Sequence, residues 1–114
     1  MDTDIRSQMS SAVGANVTLE CRESVGKGVT WQYQKTADHL AEYVYYIGTH
    51  YHQRFNVNHS VSNQYDLNIA SAEVADTGQY ICTEDGGQGI RHIYHLSVIG
   101  KKRFRISGFL LMYW

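Results

Sequence analysis

The sequence predicts an all-β fold, a sandwich or barrel of short antiparallel strands, and three observations predict it. Apolar and polar residues alternate through one short run after another. Turn residues recur about every 8–12 positions. No heptad, internal repeat or low-complexity segment interrupts that rhythm. A chain of 114 residues suits one domain, with a real core and a thin stability margin. Hydrophobic residues make up 43% and charged residues 18%, which excludes a disordered composition. The formal charge of −1 provides no global field for nucleic acid or acidic lipid. Nine tyrosines suit both strands and recognition surfaces. With no proline, cis-prolyl turns are excluded.

The elements follow in order. "VTLEC" sets Val17, Leu19 and Cys21 on one face, and Thr18 and Glu20 on the other. "VGKG" is a turn, and "VTWQYQK" alternates Val29, Trp31 and Tyr33 against polar residues. "TADHLA" connects to "EYVYYIG", which is strongly β-prone. "YDLNI" turns Tyr65, Leu67 and Ile69 inward. "SAEVADTG" is too short for a helix between two alternating strands and reads as a one-turn connection ending at Asp76. "QYICT" then alternates Tyr80 and Cys82, and "IYHLSVI" offers Leu96 and Val98.

The two cysteines, Cys21 and Cys82, are 61 residues apart, far too wide for a CxxC redox or zinc motif. They are either a buried free pair or one long-range disulfide, and a disulfide implies an oxidising compartment. Asn16-Val17-Thr18 and Asn58-His59-Ser60 are glycosylation sequons, which weigh on the side of secretion. The opening "MDTDIRSQMS" is polar and has no apolar h-region, so Met1 reads as a start added to a mature domain. Residues 101–114, "KKRFRISGFLLMYW", form a separate basic and apolar tail after a domain at 1–100. Its apolar end is far shorter than the ~20 residues of a membrane-spanning helix. Its cations also precede the apolar run, the wrong order for an N-outside anchor. A stalk remnant, an appended tail and a segment packed on the domain all remain open.

The residues Cys21, Trp31, Leu67 and Asp76-x-Gly78-x-Tyr80-x-Cys82 together resemble the immunoglobulin superfamily, over roughly residues 5–100. The 35 residues between Trp31 and Leu67 leave room for extra C′ and C″ strands, so the resemblance is to the V-set, as in antigen receptors and V-type cell-surface receptors. It implies a two-sheet antiparallel sandwich in which Cys21 on strand B bridges Cys82 on strand F, with Trp31 against the bridge. Tyr80 would form a tyrosine corner, and Gly78 would allow a tight turn into strand F. "EYVYYIG" would be C′ and "THYHQ" the C″ region. Arg54 would pair with Asp76 and close the bottom of the sandwich. The resemblance also implies an extracellular or cell-surface location.

Little points to chemistry. His50 and His52 share a strand face, but no cysteine or carboxylate cluster completes a metal site, and His92 and His95 do no better. A pH-sensitive surface is a lesser reading of the histidines. No nucleophile sits in a G-x-S-x-G elbow, and the adjacent Glu84 and Asp85 point to opposite faces, so no enzyme, cofactor or metal is expected. "GGQG" (86–89) lacks the Lys-Ser/Thr and helix of a phosphate loop. It reads as a hairpin tip or as a relic of a joining segment, with Gly86 in place of the expected Phe.

V-set domains most often meet partners through the GFCC′ face. Alternation turns Gln32 and Gln34 outward on C, Gln79, Ile81 and Thr83 on F, and Ile93, His95 and Ser97 on G. On C′, Tyr43, Tyr45 and Ile47 share one face. A charge-poor, Tyr-bearing patch is what an interface core looks like. The partner face expected is therefore Gln32, Gln34, Tyr43, Tyr45, Ile81, Thr83, Ile93 and His95, with a simple Ile81–Ile93 cross-strand pair as the bland alternative. Gln34 occupies the position that meets a partner across a two-fold axis in antigen receptors, which implies a homodimer or V-type heterodimer. The function implied is a recognition or adhesion module that binds protein, itself included. The alternative is a secreted or viral Ig-like domain that binds a glycan or small ligand through its loop tips, although those loops are short.

Overall fold

The computed structural model describes residues 4–23, 26–59 and 64–100, and the backbone of 104–106 and 109–111. The strands are β1 Ile5–Ala12, β2 Val17–Leu19, β3 Thr30–Gln34, β4 Glu42–Tyr46, β5 Thr49–His50, β6 Phe55–Asn58, β7 Asp66–Ile69, β8 Gly78–Thr83, β9 Arg91–Ile99, β10 Phe104–Ile106 and β11 Phe109–Leu111. One-turn 3-10 helices lie at Val74–Asp76 and Asp85–Gly87. A six-stranded sheet has the order β1-β9-β8-β3-β4-β5 and faces a three-stranded sheet, β2-β7-β6. All pairs are antiparallel except β1 with β9. β4 and β5 extend the sheet beyond β3, at the place where a V-type domain carries its additional strands. In the tail, β10 and β11 pair with each other, Phe104 opposite Leu111, and among the described residues with no other strand; the other tail residues lie outside the described residues.

The core is where alternation predicts it. Leu19, Trp31, Leu67, Ile69, Tyr80 and Cys82 are fully buried, with Val29, Leu96 and Val98 around them. Each such aliphatic side chain contributes roughly 1.5–3 kcal/mol by leaving water. Cys21 follows β2 and is bonded to Cys82 on β8, so one covalent link spans the two sheets. Trp31 is the cross-strand partner of Cys82, and its indole N–H donates to the Tyr65 carbonyl (2.7 Å). The buried indole is thereby hydrogen-bonded as well as packed. A second tie runs through Asp66, whose Oδ1 accepts the Cys21 N–H at 3.0 Å.

The lower end is closed electrostatically. Arg54 donates to both carboxylate oxygens of Asp76, Nε to Oδ1 at 3.2 Å and Nη2 to Oδ2, and its remaining N–H groups reach the carbonyls of Ala70 and Ser71. The fork geometry makes this the strong kind of ion pair. Asp76 Oδ2 also accepts the Glu73 N–H, capping the 3-10 turn. The Tyr80 hydroxyl donates to the Asp76 carbonyl (2.5 Å), and burial pushes its pKa far up, so it remains a donor. Tyr33 and Phe55 pack on the Tyr80 ring, with centroids 4.8 and 5.5 Å away.

Three features differ from the sequence expectation. β1 was not anticipated: it is a mostly exposed edge strand from whose inner face only Met9 packs on the core, so its polar "IRSQMSSA" carries little alternation. Gly78 serves close approach rather than a tight turn. It opens β8 in a nearly extended conformation, and a Cβ there would lie 2.7 Å from the Tyr33 ring. The third feature is a bulge in β4. Trp31 pairs with Tyr45 but Gln32 with Tyr43, so Val44 is an extra residue. A bulge of this kind breaks the period of two. Val44 and Tyr45 both turn inward, leaving Tyr43 and Tyr46 exposed.

Two predictions follow from this frame. Reducing the disulfide, or replacing Cys21 and Cys82 with Ala, should lower stability by about 4 kcal/mol, read as an earlier urea midpoint. Burial alone would raise the Asp76 pKa, but the Arg54 hydrogen bonds, the Glu73 N–H and the Arg54 charge outweigh it and hold the carboxyl below its usual range. A depressed folded-state pKa stabilises above the unfolded carboxylate pKa and is lost as pH falls through the folded value. Arg54→Gln should therefore cost roughly 2 kcal/mol at neutral pH, and the gap from wild type should shrink below about pH 4.

Candidate functional site

The register of the large sheet lays its outer face out in rows. One row runs Tyr43, Gln32, Ile81, Ile93 and Arg6 across β4, β3, β8, β9 and β1. Above it lie Tyr46, Thr30, Thr83 and Arg91, and below it Gln34, Gln79, His95 and Gln8. These residues alternate with Trp31, Tyr80 and Cys82, which point into the core.

The expected apolar contact patch is not presented to solvent. Ile81 and Ile93 are direct cross-strand partners at 4% and 2% exposure, outside the main core. They form a closed apolar pair in mid-sheet, flanked in register by the longer Gln32 and Arg6. Thr83 is buried too, beside Thr30. The turn after β8 lies on that threonine pair: a Cβ on Gly87 would sit 3.2 Å from Thr30 Cγ2, and the Gly86 N–H donates to the Gly28 carbonyl (2.8 Å). The positive φ of Gly86 and Gly87 permits this fold-over. Tyr45 belongs to the core through the β4 bulge. Four of the eight expected contact residues, Tyr45, Ile81, Thr83 and Ile93, are thus buried.

The exposed remainder is shifted toward β4. Tyr43 and Tyr46 are 45% and 42% exposed and meet edge-to-face with centroids 5.1 Å apart. Ile47, the next residue, is half exposed and has φ +41°, followed by Gly48 at +93°. The pair forms the two-residue turn from β4 to β5, of the type that needs positive φ twice. A β-branched residue there costs roughly 1–2 kcal/mol. Its N–H donates to the Val29 carbonyl, and its side chain reaches the Gly28 and Gly86 positions, so the strained turn is held by the neighbouring loops. Sequence alternation missed Tyr46 and misplaced Tyr45, because a single-residue bulge has no signature in one strand.

The lower row is polar and internally bonded. Gln34 Oε1 accepts from Gln79 Nε2 at 3.0 Å, and Gln34 Nε2 donates to the His39 carbonyl. Gln34 therefore links β3, β8 and the β3–β4 loop while staying half-buried. Gln34, Lys35, Thr77, Gln79, His95 and Ser97 edge an open cleft of about 490 Å³. His95 is exposed between Gln79 and Gln8. The other histidines are dispersed. His92 bonds Glu84 at 2.6 Å, and His50 reaches the Val57 carbonyl and the Tyr45 ring. Among the described residues no group of three His, Cys, Asp or Glu could hold a metal ion.

With this geometry in hand, comparison decides the family. The immunoglobulin V-set domain matches residues 6–99. The chain belongs to the immunoglobulin V-set family. Solved structures share the fold at low identity. The extracellular domain of the voltage-gated sodium channel beta4 subunit superimposes with TM-score 0.67 at 17% identity, covering 84% of this chain and 92% of that one. A chicken TCR gives 0.70 at 20% identity, covering 86% of this chain and half of its own. A structure from work on VGSC beta subunits gives 0.65 at 16%, covering 82% and 92%. The first is described as parallel homodimers that explain a role in cell–cell adhesion, the last in terms of multimeric cell-adhesive interactions. No curated protein sequence matches significantly.

The burial of this V-set domain's face makes a direct prediction. Ile81→Lys should destabilise the fold by at least about 2 kcal/mol, because it places a charge in an apolar pair. Tyr43→Ala should change stability by less than about 1 kcal/mol. Thermal melts followed by circular dichroism distinguish the two; equal melts would mean that Ile81 is open to solvent.

Proposed function

We propose that this V-set domain is the extracellular recognition module of a cell-surface receptor, and that it adheres to protein partners, including a facing copy of itself, through the outer face of the six-stranded sheet. The observation that carries this reading is the exposed, edge-to-face Tyr43–Tyr46 pair beside Ile47 and the uncharged Gln32. Large rigid aromatics with little charge nearby suit the centre of an interface. The disulfide accords with an oxidising, extracellular setting. The adhesive behaviour described for the sodium channel beta subunits supports the same reading.

The two sequons fit as carriers of glycans. Asn16 precedes β2 and Asn58 ends β6, so neither lies in the six-stranded sheet, and both are exposed. Asn16 Oδ1 accepts the Ser71 N–H at 3.0 Å, which fixes the amide without using its nitrogen. Sugars at these two sites would leave the proposed face clear. Ser60, the acceptor-side residue of the second sequon, lies outside the described residues.

Beads coated with the domain should aggregate, and beads carrying Tyr43→Ala with Tyr46→Ala should not, although both proteins melt alike. Wild-type beads that stay dispersed, or double-mutant beads that clump as well as wild type, would overturn the self-adhesive reading.

A further inference from the structure

We propose that β1 is a self-pairing edge, at which two copies of the chain join antiparallel about a two-fold axis through Gln8 and make one continuous sheet. Sheet edges expose unpaired backbone donors and acceptors, and proteins usually guard them with brevity, lysine, proline or bulges. The other edges among the described residues are short: β5 has two residues, β2 three and β6 four. β1 has eight, and its register with β9 runs without a break from Ile5 to Ala12. It contains no proline and no lysine, and its only charge is Arg6.

The hydrogen bonding shows which backbone groups face outward. The Val98 N–H turns toward Thr77 Oγ1, away from β1, and the Val13 N–H donates to the Ile99 carbonyl. In β9 the odd-numbered residues therefore bond to β1, and in β1 the odd-numbered residues bond back. Alternation leaves the N–H and C=O of Arg6, Gln8 and Ser10 pointing off the edge. A two-fold axis normal to the sheet keeps each face with its like, so even-numbered residues must oppose even-numbered ones. Ala12 is a poor member of such a pairing, because its carbonyl already accepts the Ala15 N–H. An axis through Gln8 sets Ala12 only against Asp4, which lies outside β1, and keeps it out of the central pairs. That axis sets Gln8 opposite Gln8 and Arg6 opposite Ser10, each pair exchanging both backbone hydrogen bonds, and brings no like charges together.

The occupant is a second copy because β1 itself meets every requirement of the edge: extended backbone, the same outward parity and no opposing charge. The arrangement turns both outer faces to the same side, so a joined pair would present two Tyr43–Tyr46 sites toward one facing surface. That bivalent consequence rests on the function proposed above; the edge pairing itself does not.

Gln8→Pro tests the pairing cleanly. It removes an outward N–H, so the inner ladder to β9 stays intact, as proline on an edge allows. Gln8→Ala keeps the N–H. In sedimentation velocity over a concentration series, wild type and Gln8→Ala should show the same dimer, and Gln8→Pro should weaken it by at least about tenfold with an unchanged melt. The Tyr43→Ala, Tyr46→Ala variant should keep the dimer while losing bead aggregation. A monomeric wild type, or a Gln8→Pro protein that dimerises like wild type, would overturn the edge proposal. So would a dimer lost on Tyr43 and Tyr46 substitution alone. If Gln8→Pro melts early, Ser10→Pro makes the same test at the neighbouring outward N–H, with the same two outcomes.

Discussion

The link between Cys21 and Cys82 is the constraint on which the rest of the structure depends. It fixes β8 against the second sheet at one point, and the neighbouring side chains are built around that point. Trp31 lies beside Cys82 in the adjacent strand, and Asp66 on β7 holds the Cys21 amide just past the end of β2, within the second sheet. A core of this size carries a thin margin, so one covalent cross-sheet tie is a large fraction of it. The Arg54–Asp76 pair performs the corresponding task at the lower end, where the rings of Tyr33, Phe55 and Tyr80 pack at tilted and edge-to-face angles. Between these two ties the large sheet presents its outer face.

That face is more structural and less open than a simple inside–outside alternation implies. Ile81 and Ile93 point away from the core and are nonetheless buried, because they cover each other. The glycine turn after β8 folds onto Thr30 and Thr83 and leaves the upper centre of the face closed. Gln34 and Gln79 spend their amides on each other and on the His39 carbonyl. What stays open on that face is the aromatic ridge of β4 and its strained turn. A recognition surface displaced toward one edge can meet a partner without disturbing the central strands that carry the disulfide.

The fold was legible because its signals are mechanical. A cysteine, a tryptophan and the Asp-x-Gly-x-Tyr-x-Cys run each do a job that few other residues do, and their spacing survives in a single sequence. The Leu67, Ile69, Leu96 and Val98 alternation was equally plain. What stayed hidden depends on context outside the segment. β1 is a strand because β9 offers it a ladder, not because its own residues alternate. The Val44 bulge changes the phase of β4 by one residue, which moves Tyr45 from partner to core and Tyr46 from core to surface. Burial of Ile81 arises from its cross-strand neighbour, which lies far away in the chain. The resemblance implies Gly78 for a tight turn, whereas the reason for a glycine there lies in the ring of Tyr33.

The central claim is that recognition belongs to the outer face of the six-stranded sheet, weighted toward β4, and not to the β2-β7-β6 sheet or the loop tips alone. Amide chemical shifts followed by NMR as the protein concentration is raised test it most directly. The account predicts that in the Gln8→Pro variant, which lacks the β1 edge contact, the largest shifts fall on Glu42–Tyr46 and Gln32, with those of β2, β6 and β7 unmoved. Shifts confined to Val17–Leu19, Phe55–Asn58 and Asp66–Ile69 would contradict it.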